Sequence, residues 1–577
     1  MKELLKKYFG YDEFRPLQEE IINNTLKRND SLVLMPTGGG KSICYQIPAL
    51  KFEGLTLIIS PLISLMKDQV DGLKANGINA EYINSTLNNL ELEKIQDKIK
   101  RKEVKLLYIA PERLALEEFK IFLSPLKISL IAIDEAHCIS EWGHDFRPDY
   151  RNLKSLKIFF PETPIIALTA TATERVRQDI INQLDLRNPK VFISSFNRKN
   201  LNLMVVEKKN AIDKIVKLLK EYKDESAIIY CFSRKDSENI AEILKNKGFD
   251  ALPYHAGLDT QTRKNNQELF IKNKVEIIVA TIAFGMGINK PNVRLIVHHT
   301  FPKTIEGYYQ EIGRAGRDGL PSDCILFYSR GDKRKHEFFI DKLNDETAKI
   351  NAETKLKQVM RYCEDKSCKR KHILRYFGED FKDLNCGACD SCLNLMNPES
   401  KEEENKLMST RYEEKKYNKE LFEKLRILRK NIANQRNVAS FIIFGDVTLR
   451  EMCAYLPTTS EEFINIRGVG YKKLEDFGEL FMKVIKEYLE SNRQEDEKDL
   501  DINEKDNSIS ENKNSIEKIK ESYANAYEFW RNEEEEKLLE LYNENKSILE
   551  IANILKRQPS AIISRLRKFR TMPSNLE

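Results

Sequence analysis

At 577 residues the chain is too long for one hydrophobic core, and its formal charge of +5, from 95 basic and 90 acidic side chains, is too nearly balanced to name a partner. Apolar residues make up 41%, enough for roughly three to five globular domains, and no run is long and apolar enough to span a bilayer. Residues 1–10 are charged and amphipathic without a signal-peptide core, so a cytoplasmic protein is expected.

Tyr11, Phe14, Arg15 and Gln18 come first. A Gln amide offers the donor and acceptor that an adenine edge pairs with, and Tyr11 and Arg15 can stack on its faces. Packing and surface roles are the other reading of these residues taken alone. Their place just upstream of Met35-Pro-Thr-Gly-Gly-Gly-Lys-Ser42 favours the nucleotide reading. That stretch lies between an apolar run at 31–34, expected to be a parallel strand, and a helix starting at Ile43. Thr37, Gly38, Gly39 and Gly40 let backbone N–H groups converge on phosphate oxygens, Lys41 meets the outer phosphates, and Ser42 is placed to ligate Mg²⁺. Met35 stands where the phosphate-loop pattern has its first glycine.

Further apolar runs at 55–60, 104–110, 129–133 and 165–169 alternate with helical stretches, as in a parallel sheet covered on both faces. The run at 129–133 ends in Asp134-Glu135-Ala136-His137. Asp134 can hold Mg²⁺ through water and Glu135 can polarise the attacking water. Trp142, His144, Phe146 and Arg147 follow, offering stacking faces and phosphate contacts to a nucleic acid strand. Core packing of Trp142 and Phe146 is the alternative, weakened by the polar residues between them.

A second alternating series, with strands expected at 227–232, 275–280, 294–298 and 324–328, has no phosphate loop. It carries Gln310, Arg314 and Arg317; the two arginines, three apart, would share a helical face and reach a γ-phosphate across a cleft. Cys386, Cys389 and Cys392, with one distant partner, can close a tetrahedron around Zn²⁺, disulfides being the competing reading.

Residues 11–18, 35–42, 134–137, 169–173 and 310–317 resemble the ordered motif set of superfamily 2 helicases, and 138–148 resembles the aromatic-rich loop of the RecQ family. The resemblance covers about residues 1–490. It implies an α/β protein of two tandem RecA-like parallel-sheet lobes, a small zinc-binding helical subdomain and a helical HRDC bundle, to which the chain adds a C-terminal helix-turn-helix module. It implies ATP and Mg²⁺ bound between the lobes, Lys41 and Ser42 on the phosphates, Glu135 activating water with His137 in the same box, Arg317 as arginine finger, and Arg314 and Gln310 completing the site. It makes Cys368 the fourth zinc ligand in place of Cys363 or His372. It also implies an aromatic-rich loop that senses single-stranded DNA, and 3′ to 5′ translocation in recombination and repair.

The expected divisions are 1–200 and 201–340 for the lobes, 341–395 for the zinc subdomain, 396–415 for a linker, 416–490 for HRDC, 491–525 for a disordered acidic tether and 526–577 for a helix-turn-helix or Myb-like module. The stretch between zinc and HRDC segments is too short for the winged-helix domain of longer relatives, so how strands are parted is left open. In the HRDC segment Arg467, Lys472 and Lys473 offer phosphate contacts, with surface solubility an equal reading. In the last module Arg565, Arg567 and Lys568 present a basic helix to DNA, with protein docking as the alternative. Expected partners are single-stranded, forked and duplex DNA, with single-strand-binding or recombination proteins, and no membrane. An RNA helicase, or an ATP-gated DNA-binding or strand-annealing scaffold without productive unwinding, are the competing functions.

Overall fold

The computed structural model describes residues 1–396, 417–503 and 532–557, apart from 86, 144, 286–289, 545 and 547, together with 562, 565 and 566. His144, Arg567, Lys568, Trp530 and most of the 396–415 and 491–525 segments therefore lie outside or largely outside the described residues.

The first lobe is a seven-stranded sheet: β1 (Ser31–Leu34), β2 (Leu55–Ile59), β3 (Ala80–Ile83), β4 (Leu106–Ile109), β5 (Ile128–Ile133), β6 (Ile165–Thr169) and β7 (Lys190–Ile193), in the order β3-β4-β2-β5-β6-β1-β7. The second has six strands: β8 (Leu201–Glu207), β9 (Ser226–Tyr230), β10 (Ala251–Tyr254), β11 (Ile277–Ala280), β12 (Val293–His298) and β13 (Ser322–Tyr328), in the order β10-β11-β9-β12-β13-β8. Every pairing is parallel. The central strands are buried throughout because helices cover both faces, which is why they read as unbroken apolar runs.

The four strands not expected from sequence, β3, β7, β8 and β10, are the edge strands of the two sheets. β7 exposes three of its four residues, β10 holds Pro253, and β3 holds Glu81, whose carboxylate meets Lys74 at 2.9 Å and Lys98 at 2.8 Å. Edge strands tolerate Pro and charge because one side of the ladder faces solvent. β8 mixes polar and apolar positions, and its sheet membership is set by β13, against which it pairs along its whole length.

The zinc segment and the HRDC helices pack with both lobes in one compact unit of residues 1–486. The HRDC helices are Lys419–Gln435, Ser440–Ile443, Asp446–Tyr455, Ser460–Phe463 and Tyr471–Asn503. Gly468 N–H donates to Gly10 O at 2.9 Å, and Gly10 has φ of 70° where a Cβ would stand 2.4 Å from Val469 N, so this contact requires glycine. The last helix continues to Asn503, beyond the expected start of the tether at 491. The stretch is polar, with three Asp and two Glu, and holds neither Gly nor Pro, so no helix breaker stops it.

The second unit, 487–577, holds helices Asn532–Asn543 and Ile548–Leu555. Leu538, Leu541, Ile551, Ala552 and Leu555 share a small core with Ile562 and Leu566. Most of the expected third helix lies outside the described residues.

Candidate functional site

The phosphate loop leaves β1 and enters helix Ile43–Lys51. Met35 fits where a glycine was expected because it continues the sheet: its N–H donates to Thr169 O at 3.1 Å and its side chain is buried. The left-handed positions are Gly38 and Gly40, at φ of 79° and 85°. Gly39 turns inward, its N–H donating to Pro36 O at 2.9 Å.

A cavity of about 460 Å³ opens beside this loop. Thr37, Gly38, Gly40, Lys41 and Ser42 form one wall, Asp134 and Glu135 the floor, and Gln310, Arg314 and Arg317 of the second lobe the facing wall. Tyr11, Arg15 and Gln18 border it, but the last two hold the loop itself. Gln18 Oε1 accepts the Arg15 N–H at 2.9 Å and its Nε2 donates to Gly40 O at 2.9 Å, while the Arg15 guanidinium donates to Gly38 O. The Gln18 amide is thus engaged by backbone in this conformation. Tyr11 lies 5.8 Å from the Arg467 guanidinium.

Asp134 Oδ1 accepts the Glu135 N–H at 3.0 Å, and Tyr150 Oη donates to Asp134 O at 2.9 Å. Burial, and then the neighbouring Glu135, push the Asp134 carboxyl up against the pull of Lys41 and Arg317. A buried carboxylate beside a second one favours a cation, which fits Mg²⁺ held by Asp134 and Ser42. Glu135 is left-handed at φ of 48°, a strained position for a non-glycine residue at the tip of a strand. His137 is fully buried, 2.8 Å from Thr169 Oγ1 and 3.4 Å from Glu135, where it orients the box from behind.

Arg314 and Arg317 do not share a helical face. Helix Ile305–Ile312 ends at Gly313, and both arginines sit on the turn that follows, where Gly316 N–H bonds Val293 O at 2.9 Å. Both still line the cavity. Burial, then Arg314 and Arg198, push the Arg317 guanidinium down to about 9, a concentration of positive charge suited to an anionic ligand. Gln310 Nε2 lies 3.5 Å from Thr171 Oγ1 across the cleft.

Three contributions were not foreseen. Arg198, between the lobes, donates to Thr37 O at 2.6 Å and to Ala315 O and Gly316 O at 2.8 Å each. Phe441, Ile442, Arg467 and Lys473 of the HRDC bundle complete one side of the cavity. Asp68, on helix Ile63–Ala75, borders it as well, with its carboxyl pushed up to about 7 by burial and then by Asp71. Neither periodicity nor spacing signals any of these, since each depends on how domains meet.

The aromatic-rich loop is not core. Trp142 is 39% exposed with the Arg175 guanidinium 3.2 Å from its ring centroid, and Arg151 lies 5.0 Å from the Phe146 ring. Both rings line a groove of about 530 Å³ whose far side holds Lys303 and Phe339 of the second lobe. Arg147 instead braces the loop: Nε meets Asp145 Oδ2 at 3.0 Å and Nη1 donates to Pro61 O at 3.0 Å.

The sulfurs of Cys368, Cys386, Cys389 and Cys392 all lie within 4.8 Å of one another, a spacing that fits four thiolates around Zn²⁺ with no open position. Cys363 is buried outside the cluster, and His372 Nδ1 faces Asp365 Oδ2 at 3.3 Å. In the C-terminal unit the Arg565 guanidinium meets Glu535, and Arg557 meets Glu534 at 2.9 Å. No helix among the described residues is long and apolar enough to cross a membrane.

Four families match the chain in order: DEAD/DEAH box helicase over 15–180, helicase conserved C-terminal domain over 207–319, RecQ zinc-binding over 330–393 and HRDC domain over 418–485. The ATP-dependent DNA helicase RecQ of Pasteurella multocida is 40% identical over 592 positions, covering 84% of this chain and 93% of its own. That of Bacillus subtilis is 38% identical over 582 positions, covering 84% and 98%. The P. multocida alignment is longer than the part of this chain it covers, so the relative carries residues with no counterpart here.

Proposed function

The chain belongs to the RecQ family of ATP-dependent DNA helicases, and from that premise we propose how its own residues divide the work. The observation that carries the reading is the convergence of Lys41 and Ser42, Asp134 and Glu135, and Arg314 and Arg317 on one cavity between two parallel-sheet lobes. Lys41 neutralises the outer phosphates of ATP, and Glu135 orients and deprotonates the attacking water. Arg317, with Arg314, stabilises charge on the transferring phosphoryl group, and only when the lobes close. Ser42 and Asp134 are the residues that would hold Mg²⁺, which would supply charge neutralisation at the phosphates. The Cys368, Cys386, Cys389 and Cys392 cluster holds a structural Zn²⁺.

Because the arginines come from one lobe and the phosphate loop from the other, hydrolysis releases the closure. Alternating closure moves a strand past Trp142 and Phe146, which offer stacking faces at the rim of the groove. The direction, 3′ to 5′, and a role in recombination and repair on forked DNA follow from the family, as do a cytoplasmic, nucleoid-associated location and partners among single-strand-binding or recombination proteins. The Arg565-Arg567-Lys568 module is assigned to duplex grip. A second reading, an ATP-gated annealing scaffold, is favoured by the short 394–417 interval between the zinc-binding and HRDC matches. Unwinding of a duplex with a 3′ single-stranded tail, against one with a 5′ tail, tests the proposal: ATP-dependent strand release from the first alone supports it, and ATP turnover with no release from either overturns it for the scaffold.

A further inference from the structure

The segment between β7 and β8 joins the lobes, and the zinc subdomain grips it residue by residue. Arg370, on the helix Lys369–Tyr376 that starts directly after Cys368, is buried. Its guanidinium donates to Asn197 Oδ1 at 2.8 Å, Arg198 O at 2.6 Å and Leu201 O at 2.6 Å. Phe377 stacks on Phe196 with centroids 4.7 Å apart, Glu379 accepts the Phe196 N–H at 2.7 Å, and Ala388 O accepts the Leu203 N–H at 2.9 Å. The segment is thus fixed on a platform whose two ends are zinc-ligand positions, Cys368 and Cys389.

The side chain of Arg198 bridges the phosphate loop and the turn that follows helix Ile305–Ile312. Besides Thr37 O, Ala315 O and Gly316 O it reaches Gly313 O at 3.4 Å. A planar guanidinium can serve several carbonyls at fixed angles, which a lysine ammonium on a flexible stem does not reproduce. These carbonyls belong to the phosphate loop of the first lobe and to the turn bearing Arg314 and Arg317 in the second. Asn200 pins the same turn, its amide donating to Gly316 O and Leu320 O at 2.9 Å each.

We propose that Arg198 is the positioning residue that registers the arginine-finger turn against the phosphate loop, and that Arg370 ties this latch to the zinc subdomain, so that the zinc fold sets the competence of the ATP site. The proposal rests on the nucleotide-site reading above. Arg198 donates to backbone carbonyls and, through Nε, to Asn200 Oδ1 at 3.3 Å, and among the described residues to no side chain of the phosphate loop, so its effect falls on the closed arrangement in which both lobes meet at the γ-phosphate, and not on the binding of ADP by the first lobe.

The test uses the full chain with Arg198→Ala, Arg198→Lys, Arg370→Ala, the Arg198→Ala/Arg370→Ala pair, and Lys41→Ala as control. Steady-state ATPase, ADP affinity, trapping of ADP with aluminium fluoride, and zinc content are measured for each. Arg198→Ala is expected to lower kcat at least tenfold and to abolish aluminium-fluoride trapping, with ADP affinity within threefold of the parent and one zinc per chain. Arg198→Lys restores less than half of the lost activity. Arg370→Ala shows the same pattern with zinc retained, and the double variant is no worse than Arg198→Ala, because the two act on one path. Arg198→Ala turnover within twofold of the parent, or losses that multiply in the double variant, overturn the latch. Loss of ADP binding and trapping together in Arg370→Ala and Arg198→Lys alike returns both residues to general folding and overturns it equally. Full ATPase in Lys41→Ala would instead strike the nucleotide-site reading itself.

Discussion

The imidazole of His137 and the hydroxyl of Thr169 lie 2.8 Å apart, tying the tip of β5 to the tip of β6. Glu135 is 3.4 Å from the same imidazole, the Thr171 N–H lies 3.3 Å from Thr169 Oγ1, and Gln310 of the second lobe is 3.5 Å from the Thr171 hydroxyl. Glu135 is therefore linked, through His137, Thr169 and Thr171, to the opposite wall of the cleft. In Thr169→Val the buried His137 loses this partner, at a cost of about 1–3 kcal/mol. ATP affinity should hold while unwinding falls more than ATPase does. The two rates measured on the same preparation check this; equal losses count against coupling through Thr169.

The roles proposed for Lys41 and Glu135 concern different steps. Lys41→Ala should abolish nucleotide binding at working concentrations. Glu135→Gln should bind ATP normally and lower kcat by a factor on the order of 10² to 10⁴, the range for a general base. Binding and turnover titrations separate the two, and equal loss of affinity in both variants contradicts these roles.

Trp142→Ala should leave basal ATPase intact and remove most of its stimulation by single-stranded DNA. The ring is exposed over the groove, and a stacked base is worth about 1–3 kcal/mol. ATPase rates with and without an oligonucleotide are the measurement, and unchanged stimulation returns the loop to a packing role.

Cys389 is fully buried within the four-sulfur cluster. Cys389→Ser should lose zinc and lower the thermal midpoint, since a small metal-held subdomain draws much of its folding energy from the metal. Metal analysis showing one zinc per chain in this variant would remove Cys389 from the ligand set.

Asp446 joins HRDC to the second lobe: it meets Arg429 at 2.7 Å and Arg294 at 3.9 Å. Burial pushes its carboxyl up, but Arg429 and Arg294 outweigh burial and hold it at about 2. Its folded value lies below its unfolded one, near 3.9, so the stability it supplies is complete above about pH 4 and is lost as pH falls towards 2. Asp446→Ala leaves buried arginine without this partner and should cost about 3 kcal/mol. Limited proteolysis should release the HRDC helices sooner in the variant, and a digestion pattern identical to the parent's argues against the contact.

The ATP-binding elements could be read in the sequence because their chemistry is local. A loop of glycines followed by Lys41 and Ser42, and an apolar strand ending in Asp134 and Glu135, need only neighbouring residues to declare a role. The central strands were equally plain, since burial on both faces demands continuous apolar character. Cys386, Cys389 and Cys392 stood out by type and spacing, while Cys368 came only from the family resemblance. Tertiary structure decided what depends on elements meeting. It placed Gln18 on Gly40, turned Arg147 into a brace for its own loop, and moved Arg314 and Arg317 from a helical face to a turn. It also brought Arg467 and Lys473, read in sequence as exposed phosphate contacts or solubilising charge, to the edge of the ATP cavity, and set Arg198 between the lobes. A charged side chain on an irregular segment has no periodicity to betray its partner; a guanidinium takes its meaning from the carbonyls that the folded chain brings within reach.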